Sequence, residues 1–400
     1  MTVIFDIALW LAALVLAVPL LVLVVECLAA LLPERHTRRA RPVRRPPCAV
    51  LIPAHDEETG IAPTLATVQG QLGAADRLIV VADNCSDRTA TVARSLGATV
   101  VERHEPERRG KGFALDFGIR FLAANPPGVV IVIDADCTVE AGAIDQLARG
   151  VADGGRPLQG VSLVTTVPGR AGAAAELACF AFLVKNLVRP LGLSRLGLPC
   201  LLTGTGMALP WSAVRDARLA SGNIVEDMVL AVDLARAGHL ARFCPEARVV
   251  SALPESAEAA IAQRSRWEHG HVQTIIQQLP RLLWTGLTQG RPQLIALALE
   301  LSVPPLSLLS LTWALVFAGA VAHGGWNGSW GPALLLAVWA GAVAAVLFAC
   351  WLKFGRRHSR FRSLLAAPVY VLWKVPLYLA LAYRPQKSWV RAQRSARSCS

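Results

Sequence analysis

The sequence predicts an α/β domain of the doubly wound type, placed between apolar segments that are long enough to cross a membrane. Three observations indicate this fold class. Hydrophobic residues make up 54% of the 400 positions and charged residues only 17%, whereas soluble domains carry about a quarter charged residues. Long apolar runs stand near both ends of the chain. Between them, short Val- and Ile-rich runs alternate with longer Ala- and Leu-rich stretches, as strands and crossover helices do.

The first apolar run, Ile7 to Val25, has the length of a membrane-crossing helix. We predict that residues 1–33 form an N-terminal transmembrane signal anchor, because a cleaved signal peptide would carry basic residues before a shorter apolar run. The basic residues instead follow the run, in a linker over residues 34–47, which the positive-inside rule places in the cytoplasm. Glu26 lies at the inner end of the run and is expected to extend toward the interface.

Residues 48–271 carry the alternation of strands and helices. Four strands are predicted at CAVLIPA, RLIVVAD, ATVVERH and VVIVIDAD, and each is followed by a helical stretch. In open α/β sheets, ligands bind at the carboxyl ends of the strands. Polar residues at those ends are therefore the first candidates for a functional site.

The C-terminal part of the chain is predicted to be a membrane region. Residues 272–293 look amphipathic and are expected to lie in the interface. Residues 294–400 contain two predicted spans, Leu294–Val321 and Ala333–Leu352, the first of them kinked at Pro304-Pro305. A further apolar stretch, 364–382, is expected to be interfacial or re-entrant in preference to spanning, because a span would leave the basic tail outside.

The net charge of +12 comes from basic clusters beside these apolar runs. Such clusters predict contacts with anionic membrane lipids. We predict no nucleic-acid partner, since the body of the chain has no basic stretch interleaved with aromatic residues. The nine cysteines are scattered and form no CxxC or Cys/His cluster, so neither a zinc site nor a disulfide framework is indicated.

Acidic residues follow three of the predicted strands. The first strand runs into Pro53-Ala54-His55-Asp56-Glu57, the second ends at Asp83, and the fourth at Asp134-Ala135-Asp136. A DxD pair at a strand exit can hold a divalent cation and, through it, a diphosphate, because hard cations prefer oxygen ligands. The DxD pair alone is a weak signal, but three acidic strand ends should meet at one sheet edge.

In their order along the chain, these motifs resemble those of family-2 glycosyltransferases with the GT-A fold. The likeness is to the membrane-integrated branch, which includes cellulose, chitin and hyaluronan synthases and ceramide glucosyltransferase. It covers about residues 48–270, and QRSRW, which matches QxxRW, is its most specific part. The other matching motifs are IPAHDEE, with Asp56 where asparagine is more usual, VADNCSDRT, GKGFAL, DAD, TGTG and VEDMVLAVDLARAG.

The resemblance implies a role for each matching residue. Asp227 would be the general base and Arg266 would bind the diphosphate. Asp136 would hold the metal, Mg²⁺ or Mn²⁺. The implied nucleotide-binding residues are Pro53, His55, Asp56, Glu57, Asp83, Lys111, Asp134 and Asp136. The implied acceptor-binding residues are Thr203, Gly204, Thr205, Glu226, Gln263 and Trp267.

The resemblance further implies an inverting hexosyl- or N-acetylhexosaminyltransferase. Its donor would be a nucleotide-diphosphate sugar, with a UDP-sugar favoured, and its acceptor a hydroxyl of a lipid or saccharide. We expect it at the cytoplasmic face of a bacterial inner membrane. The sequence leaves the sugar, the acceptor and the oligomeric state open.

Three alternatives remain at this point. One is a processive polysaccharide synthase of the same family, for which one chain has few predicted spans. Another is a haloacid-dehalogenase-like phosphatase, since DADCTV fits the DxDxT pattern, although this leaves QRSRW and Asp83 unexplained. The third is a membrane protein that binds a nucleotide sugar without catalysis, which would have no need of Asp227 as a base.

Overall fold

The computed structural model describes residues 2–33, 44–166, 172–220, 225–253 and 257–383. Contacts divide these residues into two units. The sheet unit comprises the described residues of 44–166 and 199–274. The helical unit comprises those of 2–33, 172–198 and 275–383.

Eight strands form one sheet in the sheet unit. The strands are β1 (Cys48–Ala54), β2 (Arg77–Asp83), β3 (Thr99–Arg103), β4 (Val129–Val132), β5 (Cys137–Val139), β6 (Leu158–Thr165), β7 (Met207–Pro210) and β8 (Arg242–Ala252). Their order across the sheet is β3-β2-β1-β4-β7-β6-β8-β5. The first four are parallel, as the sequence predicts, whereas β7 and β5 run antiparallel to their neighbours. The sheet is therefore mixed.

The helices of the whole chain, in order, are α1 (Thr2–Leu31), α2 (Ile61–Gln69), α3 (Thr89–Ser95), α4 (Lys111–Leu122), α5 (Ala143–Gly154), α6 (Ala173–Leu183), α7 (Arg189–Arg195), α8 (Trp211–Val214), α9 (Glu226–Arg236), α10 (Ala257–Thr288), α11 (Pro292–Ser302), α12 (Leu306–Asn327), α13 (Gly331–Cys350), α14 (Phe361–Leu365), α15 (Ala367–Trp373) and α16 (Val375–Tyr383). A π-helical turn joins α6 to α7 and another follows α13.

The core of the sheet unit lies on the parallel strands. Ile52 and Ile131 are fully buried against Leu65 of α2 and Ile144 of α5. On the other face, α4 packs closely, because a methyl group at Gly118 would lie only 2.5 Å from Leu51 Cδ1. This close packing places the first residue of α4 beside the carboxyl ends of the strands.

Four helical stretches among the described residues are long and apolar enough to cross a membrane: Thr2–Leu31, Ala173–Arg195, Leu306–Asn327 and Gly331–Gly355. The second lies inside the segment 48–271 that the sequence analysis assigned to one continuous domain. Its residues group with the helical unit instead. Its mean hydropathy of 1.4 is the lowest of the four, because four charged residues interrupt its apolar character.

Two predicted features of the C-terminal part differ in the structure. The predicted kinked span 294–321 is two helices, α11 and α12, because Pro304 and Pro305 lack the amide hydrogens that a continuous helix needs. The predicted boundary at 271/272 falls inside α10, which continues without a break. The stretch 364–382 consists of parts of α14, α15 and α16, all short.

The prediction that Glu26 extends to the interface is wrong. Its side chain is 2% exposed and its Oε2 accepts a hydrogen bond from Arg189 Nε at 2.5 Å. Arg189 Nη2 also donates to the Glu300 carbonyl oxygen at 2.8 Å. Since an unpaired buried charge is costly, these contacts explain how an arginine and a glutamate are accommodated within the helical unit.

Candidate active site

The parallel strands bring the predicted acidic residues to one edge of the sheet. Pro53 of β1 pairs in register with Val81 of β2, and Leu51 pairs with Val132 at the end of β4. The carboxyl ends of β1, β2 and β4 therefore lie side by side. Asp83 is the last residue of β2, and the turns that follow β1 and β4 carry the residues predicted at positions 55–57, 134 and 136.

Lys111 connects three separate segments at this edge. Its Nζ forms an ion pair with the Asp134 carboxylate and donates to the Gly204 carbonyl oxygen at 2.7 Å. Glu226 Oε1 lies 3.9 Å from the same nitrogen. Burial favours the neutral amine, but the carboxylates of Asp134 and Glu226 outweigh it and raise the pKa of Lys111. The ammonium is therefore charged at neutral pH and holds these segments together.

The loop that contains Thr203, Gly204 and Thr205 is held by Gln159, a residue that sequence analysis did not single out. Gln159 Oε1 accepts from the Thr203 amide at 2.8 Å and its Nε2 donates to the Thr205 carbonyl oxygen at 2.9 Å. Thr205 Oγ1 accepts from the Asp134 amide at 3.1 Å. The Thr203 hydroxyl is buried and has no hydrogen-bond partner among the described residues. A buried polar side chain on β6 thus fixes the predicted acceptor loop.

Glu226 and Asp227 form the first turn of α9. Asp227 Oδ1 accepts from the Met228 amide at 2.8 Å, and its Oδ2 lies 3.0 Å from the position that a Cβ atom would take at Gly204. Burial raises the pKa of Glu226 to about 7, although Lys111 opposes the rise. The structure thus brings Lys111, Asp134, Gly204, Glu226 and Asp227 together as one group, termed the lysine cluster.

The two aspartates of the DxD pair form a candidate site for a hard divalent cation. Asp134, Asp136 and Cys137 each bring one ligand atom within 4.8 Å of the others. Cys137 offers a thiol, which suits softer metal ions than Mg²⁺ or Mn²⁺. Two carboxylates remain, which is the ligand chemistry that Mg²⁺ and Mn²⁺ prefer.

The loop after β1 is tied to the loop after β2. His55 Nδ1 donates to the Asp83 carbonyl oxygen at 2.6 Å, and Asp56 Oδ1 accepts from the Ser86 amide at 2.6 Å. The Glu57 amide donates to Thr89 Oγ1 at 2.7 Å. Asp56 has a φ of +51°, a conformation in which asparagine and aspartate are enriched.

Asp83 is buried, with 6% of its surface exposed, and it is paired with a residue that the sequence analysis missed. Arg103 Nη1 donates to Asp83 Oδ1 at 2.5 Å. Burial raises the pKa of Asp83 in spite of this contact. Arg103 is the last residue of β3, so its position at a strand end was the available signal.

The QxxRW residues lie on α10 rather than at a strand end. Gln263, Arg266 and Trp267 are all partly exposed, and their spacing on a helix places them on one face. They are not among the five residues by which the lysine cluster is defined.

Comparisons with known proteins agree with this arrangement. A family model described as "Glycosyltransferase like family 2" matches residues 46–270. The chain is 27% identical over 251 residues to the probable glycosyltransferase YdaM of Bacillus subtilis, a match that covers 58% of this chain and 57% of YdaM. It is 40% identical over 98 residues to an uncharacterized glycosyltransferase of Mycobacterium tuberculosis, covering 24% of this chain and 40% of that protein. The matches thus span less than two thirds of either relative.

Among solved structures, the chain is similar to the mannosyltransferase PcManGT from Pyrobaculum calidifontis in complex with GDP-Man and Mn²⁺. The TM-score is 0.54 at 21% sequence identity, and the match covers 94% of this chain and 100% of that one. This likeness shows the GT-A fold.

Proposed function

The chain belongs to glycosyltransferase family 2, and on that premise we propose that it is an inverting, metal-dependent transferase. It moves a sugar from a nucleotide-diphosphate sugar to a hydroxyl of a lipid or saccharide acceptor. The observation that carries this proposal is the lysine cluster, in which four separate segments place an ammonium, three carboxylates and a glycine loop around one point. Family membership also removes the phosphatase alternative.

In the proposed reaction, the acceptor hydroxyl oxygen attacks the anomeric carbon from the face opposite the diphosphate. The new C–O bond forms while the bond to the phosphate oxygen breaks, and the nucleoside diphosphate leaves with the electron pair. The hydroxyl proton passes to the Asp227 carboxylate. One displacement inverts the anomeric centre, so an α-linked donor would give a β-linked product.

Asp227 is suited to act as this base because it has support for its charged form. The first turn of a helix favours negative charge, and the Lys111 ammonium lies in the same cluster. Asp227 Oδ1 is engaged by the Met228 amide, which orients the carboxylate. Its Oδ2 lies so close to Gly204 that a side chain there would press on it, so a glycine at this position lets the carboxylate keep its place.

Asp136 and Asp134 would hold the divalent cation, which neutralises charge that develops on the leaving diphosphate when bound. The GT-A neighbour from Pyrobaculum is in complex with Mn²⁺, which supports this assignment. Lys111, which forms an ion pair with Asp134, adds a fixed positive charge next to the candidate metal ligands. Arg266 is proposed to bind diphosphate oxygens. Asp83 and Asp56 are proposed to contact the nucleoside.

We propose a single transfer at the cytoplasmic membrane face of a bacterium. Within the helical unit, Asp6 near the start of α1 accepts from Ser329 Oγ at 2.5 Å, in the turn between α12 and α13. At the other end of α1, the Leu31 carbonyl accepts from Lys353 Nζ at 3.0 Å. Lys353 thus lies at the end of α1 that leads into the basic linker. The positive-inside rule expects basic residues on the cytoplasmic side.

Cysteine labelling of intact cells tests this orientation. A cysteine placed at Ser329 should react with a membrane-impermeant maleimide, whereas one at Arg44 should react only after the cells are lysed. The reverse pattern would contradict the orientation, because nucleotide sugars are supplied from the cytoplasm.

Asp227→Asn tests the proposed chemistry. Purified protein with Mn²⁺ and UDP- or GDP-sugars is assayed for transfer to extracted membrane lipids, and donor binding is measured separately. We expect donor binding to remain and transfer to fall by about 10²–10⁴-fold, the usual contribution of a general base. Asp153→Asn, an equivalent change at an exposed position of α5, should leave both unchanged. Transfer by Asp227→Asn at the wild-type rate would remove Asp227 as the base.

A further inference from the structure

Arg103 is held rigidly at the edge of the proposed nucleoside site. Its side chain is 4% exposed, Nη1 donates to Asp83 Oδ1 at 2.5 Å, and Nη2 donates to Glu105 Oε2 at 3.0 Å. The guanidinium carbon Cζ lies over the Phe113 ring, 5.4 Å from its centroid. Each of these contacts limits rotation of the side chain, so Arg103 is already ordered around Asp83.

The two oxygens of the Asp83 carboxylate differ in their hydrogen bonds. Oδ1 accepts from Arg103 Nη1 and also from Asn84 Nδ2 at 3.0 Å. A carboxylate oxygen has about two lone-pair sites, and both sites of Oδ1 are therefore taken. Among the described residues, none donates to Oδ2, and it is not among the fully buried atoms without a partner. Asp83 therefore offers a ligand one acceptor oxygen rather than two.

The nucleobases differ in the donors that they present on the edge that proteins read. Uracil presents one ring N–H between two carbonyl oxygens, which needs a single acceptor. Guanine presents a ring N–H and an amino group side by side, and it is matched by a carboxylate with both oxygens available. A site that leaves one donor of a buried base without an acceptor pays the desolvation of that donor.

We propose that Arg103 sets the base specificity of the donor site, by occupying one oxygen of Asp83 so that the other reads the single ring N–H of uracil. The donor is then a uridine-diphosphate sugar, and guanosine diphosphates are disfavoured. Arg103 acts through Asp83 and is a positioning residue. This inference rests on the proposed function, in which Asp83 contacts the nucleoside.

The alternative role for Arg103 is to join the ends of β2 and β3. The backbone already does so, since Asp83 and Arg103 are partners in the parallel ladder and the Asn84 amide donates to the Arg103 carbonyl oxygen at 2.7 Å. The Glu105 amide also donates to Asn84 Oδ1 at 2.7 Å. The side-chain pair is therefore not needed to hold the strands.

The first experiment uses the wild-type protein and chemical variants of the base. Isothermal titration with Mn²⁺ compares UDP, N3-methyl-UDP, GDP and inosine diphosphate, which is GDP without its amino group. We expect UDP to bind at least about tenfold more tightly than GDP, N3-methylation to remove this advantage, and inosine diphosphate to bind at least as well as GDP. A protein that binds GDP more tightly than both UDP and inosine diphosphate would overturn the proposal. Failure to bind any nucleotide would overturn the proposed function as well.

The second experiment changes the arginine. Arg103→Met keeps the length of the side chain and removes its donors, so Oδ1 becomes available, and the UDP-to-GDP affinity ratio should fall by at least about tenfold. Asn84→Gly removes the other donor to Oδ1 at a position with a φ of +51°, which glycine adopts freely, and should shift the ratio in the same direction if Arg103→Met does not fold. Arg94→Met is the matched control, because Arg94 is half-exposed and pairs with Glu102 on β3.

The ratio separates the two roles. If Arg103 only joined strands, its loss would weaken UDP and GDP binding alike and leave the ratio at the wild-type value. That result, with both nucleotides still bound, would overturn the specificity role while leaving the transferase proposal intact.

Discussion

Gly204 is the position in the lysine cluster where one added methyl group should disturb the proposed chemistry most directly. Its φ is +87°, and the methyl carbon of an alanine would lie 3.0 Å from Asp227 Oδ2 and 3.2 Å from Lys111 Nζ. Non-bonded carbon contacts are favourable at about 3.5–4.0 Å. In Gly204→Ala, the proposed base and the ammonium must therefore move by several tenths of an ångström.

Two effects of Gly204→Ala can be estimated separately. The left-handed backbone conformation costs a residue with a side chain about 1–2 kcal/mol, which should appear in the free energy of unfolding. Displacement of the base affects the rate, since a misplacement of about 1 Å can cost about 10²-fold. For the smaller movement here we expect kcat to fall by about tenfold.

Gly142→Ala is the control that isolates the second effect. Gly142 has a φ of +83°, and a methyl group there would meet nothing within 4 Å. It should lose a similar amount of stability without losing kcat. Thermal unfolding and initial-rate assays on both variants provide the comparison. Wild-type kcat in Gly204→Ala, or an equal loss of kcat in both variants, would refute the idea that a glycine at 204 is needed to keep Asp227 in place.

Two further predictions concern charged groups. Because burial raises the pKa of Glu226 from 4.5 to about 7, the folded chain binds a proton there and loses stability as the pH rises between those values. In metal-free protein, Glu226→Gln should gain up to about 3 kcal/mol relative to wild type between pH 4 and pH 8; parallel stability curves over that range would contradict this. Glu26→Ala leaves Arg189 buried without its carboxylate and should cost about 3–5 kcal/mol, most of which a second change, Arg189→Met, should restore in melting experiments. A double variant as unstable as the single one would refute the pairing argument.

The parallel half of the sheet was predictable from sequence because each of its strands is a continuous apolar run. Strands β1, β2 and β4 are buried on both faces, and their Val- and Ile-rich segments stand out from the helices between them. The antiparallel half gives no such pattern. Strand β5 has three residues and β7 has four, too few for a periodicity to show, so the sequence predicts the site edge but not the mixed sheet.

The segment 173–195 was missed for a different reason. Hydropathy counts each charged residue as a penalty, but in the folded helical unit several of these charges are paired. Arg189 pairs with Glu26 of α1, more than 150 positions earlier in the chain. Glu176 accepts a hydrogen bond from Ser363 Oγ at 2.7 Å. A pattern read along the chain cannot include partners that are distant in sequence, and the same limit applies to the site.

Three aspartates illustrate how partners decide chemistry at this site. Asp83, Asp134 and Asp227 all stand at the end of a strand or the start of a helix, and sequence analysis could identify each by its motif. In the structure, Asp83 gives one oxygen to Arg103, Asp134 lies against Lys111, and Asp227 accepts from its own helix. The first is thereby limited to one acceptor, the second is paired with an ammonium beside Asp136, the other candidate metal ligand, and the third keeps Oδ2 directed at a glycine. The residue types predict that proton transfer and cation binding occur at this edge of the sheet. The hydrogen-bond and ion-pair partners determine which of these roles each carboxylate can take.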